Sequence, residues 1–109
     1  MSKISLNIYN GAEIEKTYTA DGFDLLMGTI DDFVELIDVD KLDDEKAIMG
    51  MIIKGYSHIK PLVMDMFPGL TDEEFKRVRL TELVQTIIQA GAAIAENFGF
   101  LKSGNLKRV

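Results

Sequence analysis

The chain has 109 residues, a net charge of −6 and no cysteine, enough for one domain with one core and no disulfide framework or thiolate metal site. Charge is uneven: residues 1–45 carry 3 basic and 12 acidic side chains, and residues 46–109 carry 9 basic and 6 acidic. An acidic first half is repelled by phosphate and argues against a nucleic-acid ligand, while the absence of any apolar run near the roughly 20 residues a bilayer demands argues against a membrane span.

Residues 3–9, KISLNIY, alternate strictly, placing Ile4, Leu6 and Ile8 on one face of a strand. Asn10-Gly11 tolerates positive φ and predicts a type I′ turn. Residues 12–18, AEIEKTY, alternate again, with Ile14 and Tyr18 expected on one side. A β-hairpin over 3–18 follows, and two strands alone are marginal in water, so it must pack on the rest of the chain or on another chain.

From residue 22 the period becomes helical. Phe23, Leu26, Met27, Ile30, Phe33, Val34 and Ile37 form one stripe and predict a helix over 22–37. DVDKLDDE reads as a connection, with Asp43 or Asp44 available to cap the next helix. A second helix is predicted over 44–67, with Ile48, Met51, Ile52, Tyr56, Ile59, Leu62, Val63 and Met66 on its stripe and a kink or split at Pro61. Met49, Ile53, Met64 and Phe67 lie off that stripe. Leu70-Thr71-Asp72-Glu73-Glu74-Phe75 is a capping box with a hydrophobic staple and opens a short helix over 72–78. A last helix spans 81–98, with Thr81 as its cap and a stretch of small side chains, AGAAIA at 90–95, that another helix could approach closely. Residues 99–109, LKSGNLKRV with the two residues before it, read as a basic tail. The fold class is therefore α+β: an N-terminal hairpin, then about four helices in one domain.

No catalytic constellation emerges. His58 is the single histidine, and its neighbour Ser57 points about 100° away on a helix, a poor arrangement for a Ser–His pair. The acidic run Asp38, Asp40, Asp43, Asp44, Glu45 fails as an EF-hand, because the sixth position from Asp38 is Asp43 rather than glycine and the twelfth is Met49 rather than glutamate. No phosphate-cradling glycine loop is present. Lys76, Arg77 and Arg79 form the compact basic cluster, beside Asp72, Glu73 and Glu74 and without interleaved aromatics. No catalytic, cofactor or metal residue is assigned, and the chain reads as a non-enzyme. Met27, Met49, Met51, Met64 and Met66 gather around the second helix; methionine serves either as flexible core filler or as an adaptable partner surface.

Across residues 67–88, FPGLTDEEFKRVRLTELVQTII, the chain resembles the tail assembly chaperones of long-tailed phages and prophages of Gram-positive bacteria. The likeness extends over most of 1–98, through YTADGFDLLMGTIDDFVELIDVDKL and PLVMDMFPGLTDEEFKRV. The resemblance implies a cytoplasmic, non-catalytic protein that binds the helical tape-measure protein, keeps it soluble, and helps recruit tail tube subunits. It also implies correspondence to the short product of a gene that is read in two ways by frameshifting. Within that reading, Met49, Ile53, Met64 and Phe67 are the candidate client-binding residues, and free hairpin edges with a broad apolar helix point to a homo-oligomer. The competing reading is a small dimeric helical adaptor or regulatory module.

Overall fold

A computed structural model describes residues 3–98, apart from the side chains of Phe23, Asn97 and Phe98; the predicted basic tail at 99–109 lies outside the described residues. The architecture is α+β, an antiparallel two-stranded hairpin followed by helices. Strand β1 (Lys3–Asn10) pairs with β2 (Glu13–Asp21), so the second strand runs three residues past its predicted end. The turn sits on Gly11-Ala12 rather than Asn10-Gly11. Gly11 has φ +67° and no other residue there is positive, the sign pattern of a type II′ turn, which places glycine first.

Ile4, Leu6 and Ile8 are buried as the alternation predicts. Ile14 is not. The register passes from Ile8 opposite Lys16 to Tyr9 opposite Ile14, so Glu15 is an extra residue on β2, a β-bulge. The bulge flips the phase of everything before it, leaving Ile14 half-exposed on the side away from Ile8.

The outer edge of β1 is closed. The Ser5 N–H donates to Gln89 Oε1 at 2.9 Å, the Thr86 hydroxyl donates to Ser5 O at 2.7 Å, and the Tyr9 N–H donates to Arg77 O at 3.1 Å. Backbone groups that would otherwise pair with a third strand are satisfied by the last helix and the link before it.

The predicted helix 22–37 breaks in two. A 3-10 turn at Gly22–Asp24 precedes α1 (Met27–Leu36), and Leu26 between them is extended, φ −66° and ψ 145°. The helix starts late, so Leu26, Met27 and Val34 face solvent while Ile30, Phe33 and Ile37 enter the core. In the connection, the Asp38 carboxylate accepts from Asp40 N–H, and Asp44 caps α2 (Glu45–Lys54) by accepting from Ala47 N–H at 3.2 Å.

The predicted single helix 44–67 divides at Gly55, not at Pro61. Helix α3 runs Tyr56–Met66, and the N–H groups of His58 and Ile59 both return to Gly55 O at 2.8 Å. A Cβ at Gly55 would stand 3.0 Å from Met51 O, which explains glycine at the break. Pro61 sits within α3 on an exposed face. The ladder bond it forfeits belongs to Ser57, also exposed, whose carbonyl water can satisfy.

Helix α4 (Asp72–Phe75) opens with the predicted capping box: Glu74 N–H donates to Thr71 Oγ1 at 3.1 Å, and Thr71 N–H donates to Glu74 Oε1 at 3.2 Å. The helical turn ends at Phe75, shorter than predicted. Helix α5 (Leu80–Phe98) begins one residue early, with Arg79 O accepting from Glu82 and Leu83, so Thr81 lies in its first turn and is not the cap. Its buried stripe, Leu83, Val84, Ile87, Ala90 and Ile94, joins Phe33, Ile48, Ile52, Ile59 and Leu62 in one core. Each such large side chain contributes roughly 1.5–3 kcal/mol on burial.

The small-residue stretch has an internal use. A Cβ on Gly91 would lie 2.6 Å from Leu42 Cδ2, and Ala90, Ala93 and Ala95 are buried. Leu42 of the α1–α2 connection occupies the space that the sequence left for another helix.

Candidate functional site

Two parts of the surface stand out, one polar and one apolar. The polar part joins the hairpin to α4 and α5. Tyr18 donates its hydroxyl proton to Glu74 at 2.5 Å, with Gly69 O 3.1 Å from the same oxygen, and Lys16 Nζ reaches Glu74 at 3.2 Å. The Tyr18 hydrogen bond, with help from Thr71 N–H and Lys16, holds the Glu74 carboxyl down at about 2. Arg77 bridges Glu15 and Glu73 and also donates to Tyr9 O at 3.1 Å. Glu82 accepts from the Tyr9 hydroxyl at 2.6 Å and from Asn7 Nδ2 at 2.8 Å. That carboxylate raises the tyrosine's pKa. The Arg79 guanidinium lies 4.2 Å over the Tyr9 ring and donates to Gly11 O. Two members of the predicted basic cluster, Arg77 and Arg79, are thus engaged in holding the hairpin.

The apolar part lies where α2 ends, α3 begins and α5 starts. Ile53, Tyr56, Phe75, Val78, Leu80 and Leu83 line a groove of about 420 Å³, with Ile52 at its floor and Lys76 on its wall. Ile53 is 61% exposed, Tyr56 47% and Leu80 41%. The groove follows from the break at Gly55. A continuous helix would carry Tyr56 on the core stripe, but the restart turns it outward, where its ring meets Phe75 at 5.9 Å between centroids. The short α4 and its turn supply the opposite wall. Among the described residues no carboxylate lines the groove.

The four candidate residues part company. Ile53 lies in this groove. Met49, one turn earlier on the same face of α2, is half-buried and lines an adjoining shallow cleft with Glu45, Val84 and Gln85. Met64 is half-buried on α3 and lines neither. Phe67 is 1% exposed, and its assignment to a partner surface is corrected: it is a core residue, packed against the Tyr18 ring at 6.3 Å between centroids. Phe67 is the C-cap of α3 with φ −125° and ψ 83°, so its side chain no longer follows the helical phase and turns inward. Tyr56, Val78 and Leu80 were absent from the sequence-based set; the signal was the glycine preceding Tyr56.

His58 and Ser57 line a separate open cleft of about 460 Å³ between α1 and α3 with Asp32 and Glu35. Among the described residues no group of three or more His, Cys, Asp or Glu side chains is placed to hold a metal ion. No helix of the described residues is long and apolar enough to cross a membrane. Compared with known protein families, curated proteins and solved structures, the chain finds no match in any of the three.

Proposed function

We propose that this protein is a non-catalytic phage tail assembly chaperone, which binds the tape-measure protein in the host cytoplasm, keeps it soluble and assists assembly of the tail tube, working as a homo-oligomer. The observation that carries the reading is the groove at the α2–α3 corner. It brings Ile53, Tyr56 and Leu80, each more than 40% exposed, together in one concave apolar surface. Clustered apolar exposure of this kind marks a binding surface, and a groove between helices suits the apolar face of a client helix. The sequence likeness over 67–88 supplies the client's identity, and the segment it covers builds one wall of the groove.

A dimeric adaptor is the second reading. Leu26 and Met27, 70% and 67% exposed, together with Val34, give α1 an apolar face of its own, which a copy or a single defined partner could cover. Co-expression with the long helix-rich protein encoded downstream, followed by co-purification and light scattering, separates the two. A client that aggregates alone and stays soluble in complex supports the chaperone. A client that is soluble alone and ignores this protein would put the adaptor first.

A further inference from the structure

We infer that Arg77 and Arg79 are positioning residues of the groove at the α2–α3 corner: neither lines it, yet by gripping the hairpin they hold the wall that carries Lys76, Val78 and Leu80. This deepens the chaperone reading and rests on it for the groove's use. The side chains of one segment divide between two duties. Phe75, Lys76, Val78 and Leu80 line the groove, while Glu74, Arg77 and Arg79 between them turn to the hairpin. Glu74 accepts from Tyr18 and Lys16, and Arg77 pairs with Glu15 and donates to Tyr9 O at 3.1 Å. Arg79 lies 4.2 Å over the Tyr9 ring and donates to Gly11 O at 3.1 Å. The Tyr9 N–H answers by donating to Arg77 O at 3.1 Å.

These bonds fix hairpin and wall against each other, and the wall depends on them more. The hairpin has a second anchorage, because Ile4, Leu6 and Ile8 are buried in the core and Ser5 bonds to α5. The wall has less. Helix α4 is one turn of four residues, too short to be stable by itself, and residues 76–79 lie outside any helix. Phe75 is buried and Lys60 pairs with Asp72 at 3.1 Å, which anchors the start of the segment. Beyond Phe75, among the described residues, the side-chain hydrogen bonds that tie residues 76–79 to anything outside α4 all go to the hairpin. A short segment with few buried contacts opens locally at little cost. Without the two guanidinium groups, Val78 and Leu80 are free to swing away from Ile52 and Ile53 across the groove.

The chain has no cysteine, so a single introduced thiol reports on one place. Ile52→Cys puts it on the groove floor, and Ile94→Cys puts it in the core toward the other end of α5, both in the full chain. The rate of reaction with 5,5′-dithiobis(2-nitrobenzoate) then measures local opening at each. Arg77→Met combined with Arg79→Met is expected to speed labelling at Ile52→Cys at least about fivefold and leave Ile94→Cys unchanged. Tyr9→Leu, a change made in the hairpin alone, should act in the same direction by about twofold or more. Equal acceleration at both thiols would mean that the arginines act only through global stability, and no acceleration at Ile52→Cys would mean that the wall holds itself; either overturns the inference. Should a circular-dichroism melt show that Ile52→Cys does not fold, the Ile52 and Ile53 methyl resonances of the cysteine-free chain give the same reading. They should move in the arginine variant while the Ile94 methyl resonances stay, and unmoved groove methyls would overturn the inference. No client enters this assay, so a tape-measure protein that ignores the groove would remove the chaperone reading and leave the wall's dependence on the hairpin standing.

Discussion

The seam between the hairpin and the α4–α5 segment and the groove at the α2–α3 corner are built from neighbouring residues, yet they treat their side chains in opposite ways. On the seam, charges and hydroxyls find partners: Tyr18 with Glu74, Lys16 with Glu74, Arg77 with Glu15 and Glu73, Tyr9 with Glu82. At the corner, three large apolar side chains stand half-exposed, with Lys76 as the one charged side chain among the described residues that line the groove. Individual exposed ion pairs contribute little, about 0–1 kcal/mol each, so the seam's main effect is to fix the hairpin's position and close the edge of β1. The groove, by contrast, leaves apolar burial unused within one chain. The difference separates surface that completes the fold from surface available for a partner.

The sharpest way to break that comparison is to truncate one residue from each side of it that the sequence placed in the same class. Phe67→Ala should destabilise the chain by about 3–5 kcal/mol, as loss of a buried aromatic does. Ile53→Ser should change stability by no more than about 0.5 kcal/mol. Urea denaturation measures both, and similar values would mean that Phe67 and Ile53 share one environment after all. Next in size, Gly91→Leu should cost about 1–3 kcal/mol, because even its Cβ would overlap the Leu42 side chain. A neutral result would show that the Leu42 contact is loose and that the small-residue stretch remains open to another helix.

Smaller effects sharpen the polar side. Glu74 has its folded pKa lowered to about 2 from an ordinary 4.5. A depressed carboxyl pKa stabilises the fold above the unfolded value and loses that contribution as pH falls through 4.5 toward 2. Glu74→Gln should therefore lower the melting temperature at pH 6–7 and show a flatter decline than the parent chain between pH 5 and 2. Parallel melting curves across that window would remove Glu74 from the acid response. The smallest expected effect is favourable. A Cβ at Gly50 of α2 meets nothing within 4 Å, so Gly50→Ala should stabilise by about 0.5–1 kcal/mol.

Local signals carried the hairpin, the Thr71–Glu74 capping box and the α5 stripe, because alternation, capping chemistry and helical period each act over a few residues. What escaped them was decided at a distance or by competition. The bulge at Glu15 has no marker in AEIEKTY; in the structure, Arg77 pairs with Glu15 and bonds Tyr9 O beside it. Gly55 and Pro61 are both helix breakers, and Pro61 lost the contest because its exposed position makes the forfeited bond cheap. Extending one helical phase from 44 to 67 then misplaced Tyr56, the first residue of α3, and Phe67, its C-cap. The late start of α1 similarly moved Leu26 and Met27 from the expected core to solvent. Ile53 was legible as an outward apolar residue. The groove around it was not, since its other wall comes from Phe75, Val78 and Leu80, far along the chain.

The most direct test of the central claim, that the client helix lies in this groove, is hydrogen–deuterium exchange on the purified complex with the tape-measure protein. The expected result is added protection in peptides covering 50–56 and 75–84, with the hairpin unchanged. Protection confined to α1 around Leu26, Met27 and Val34, with the groove peptides exchanging as in the free protein, would contradict it.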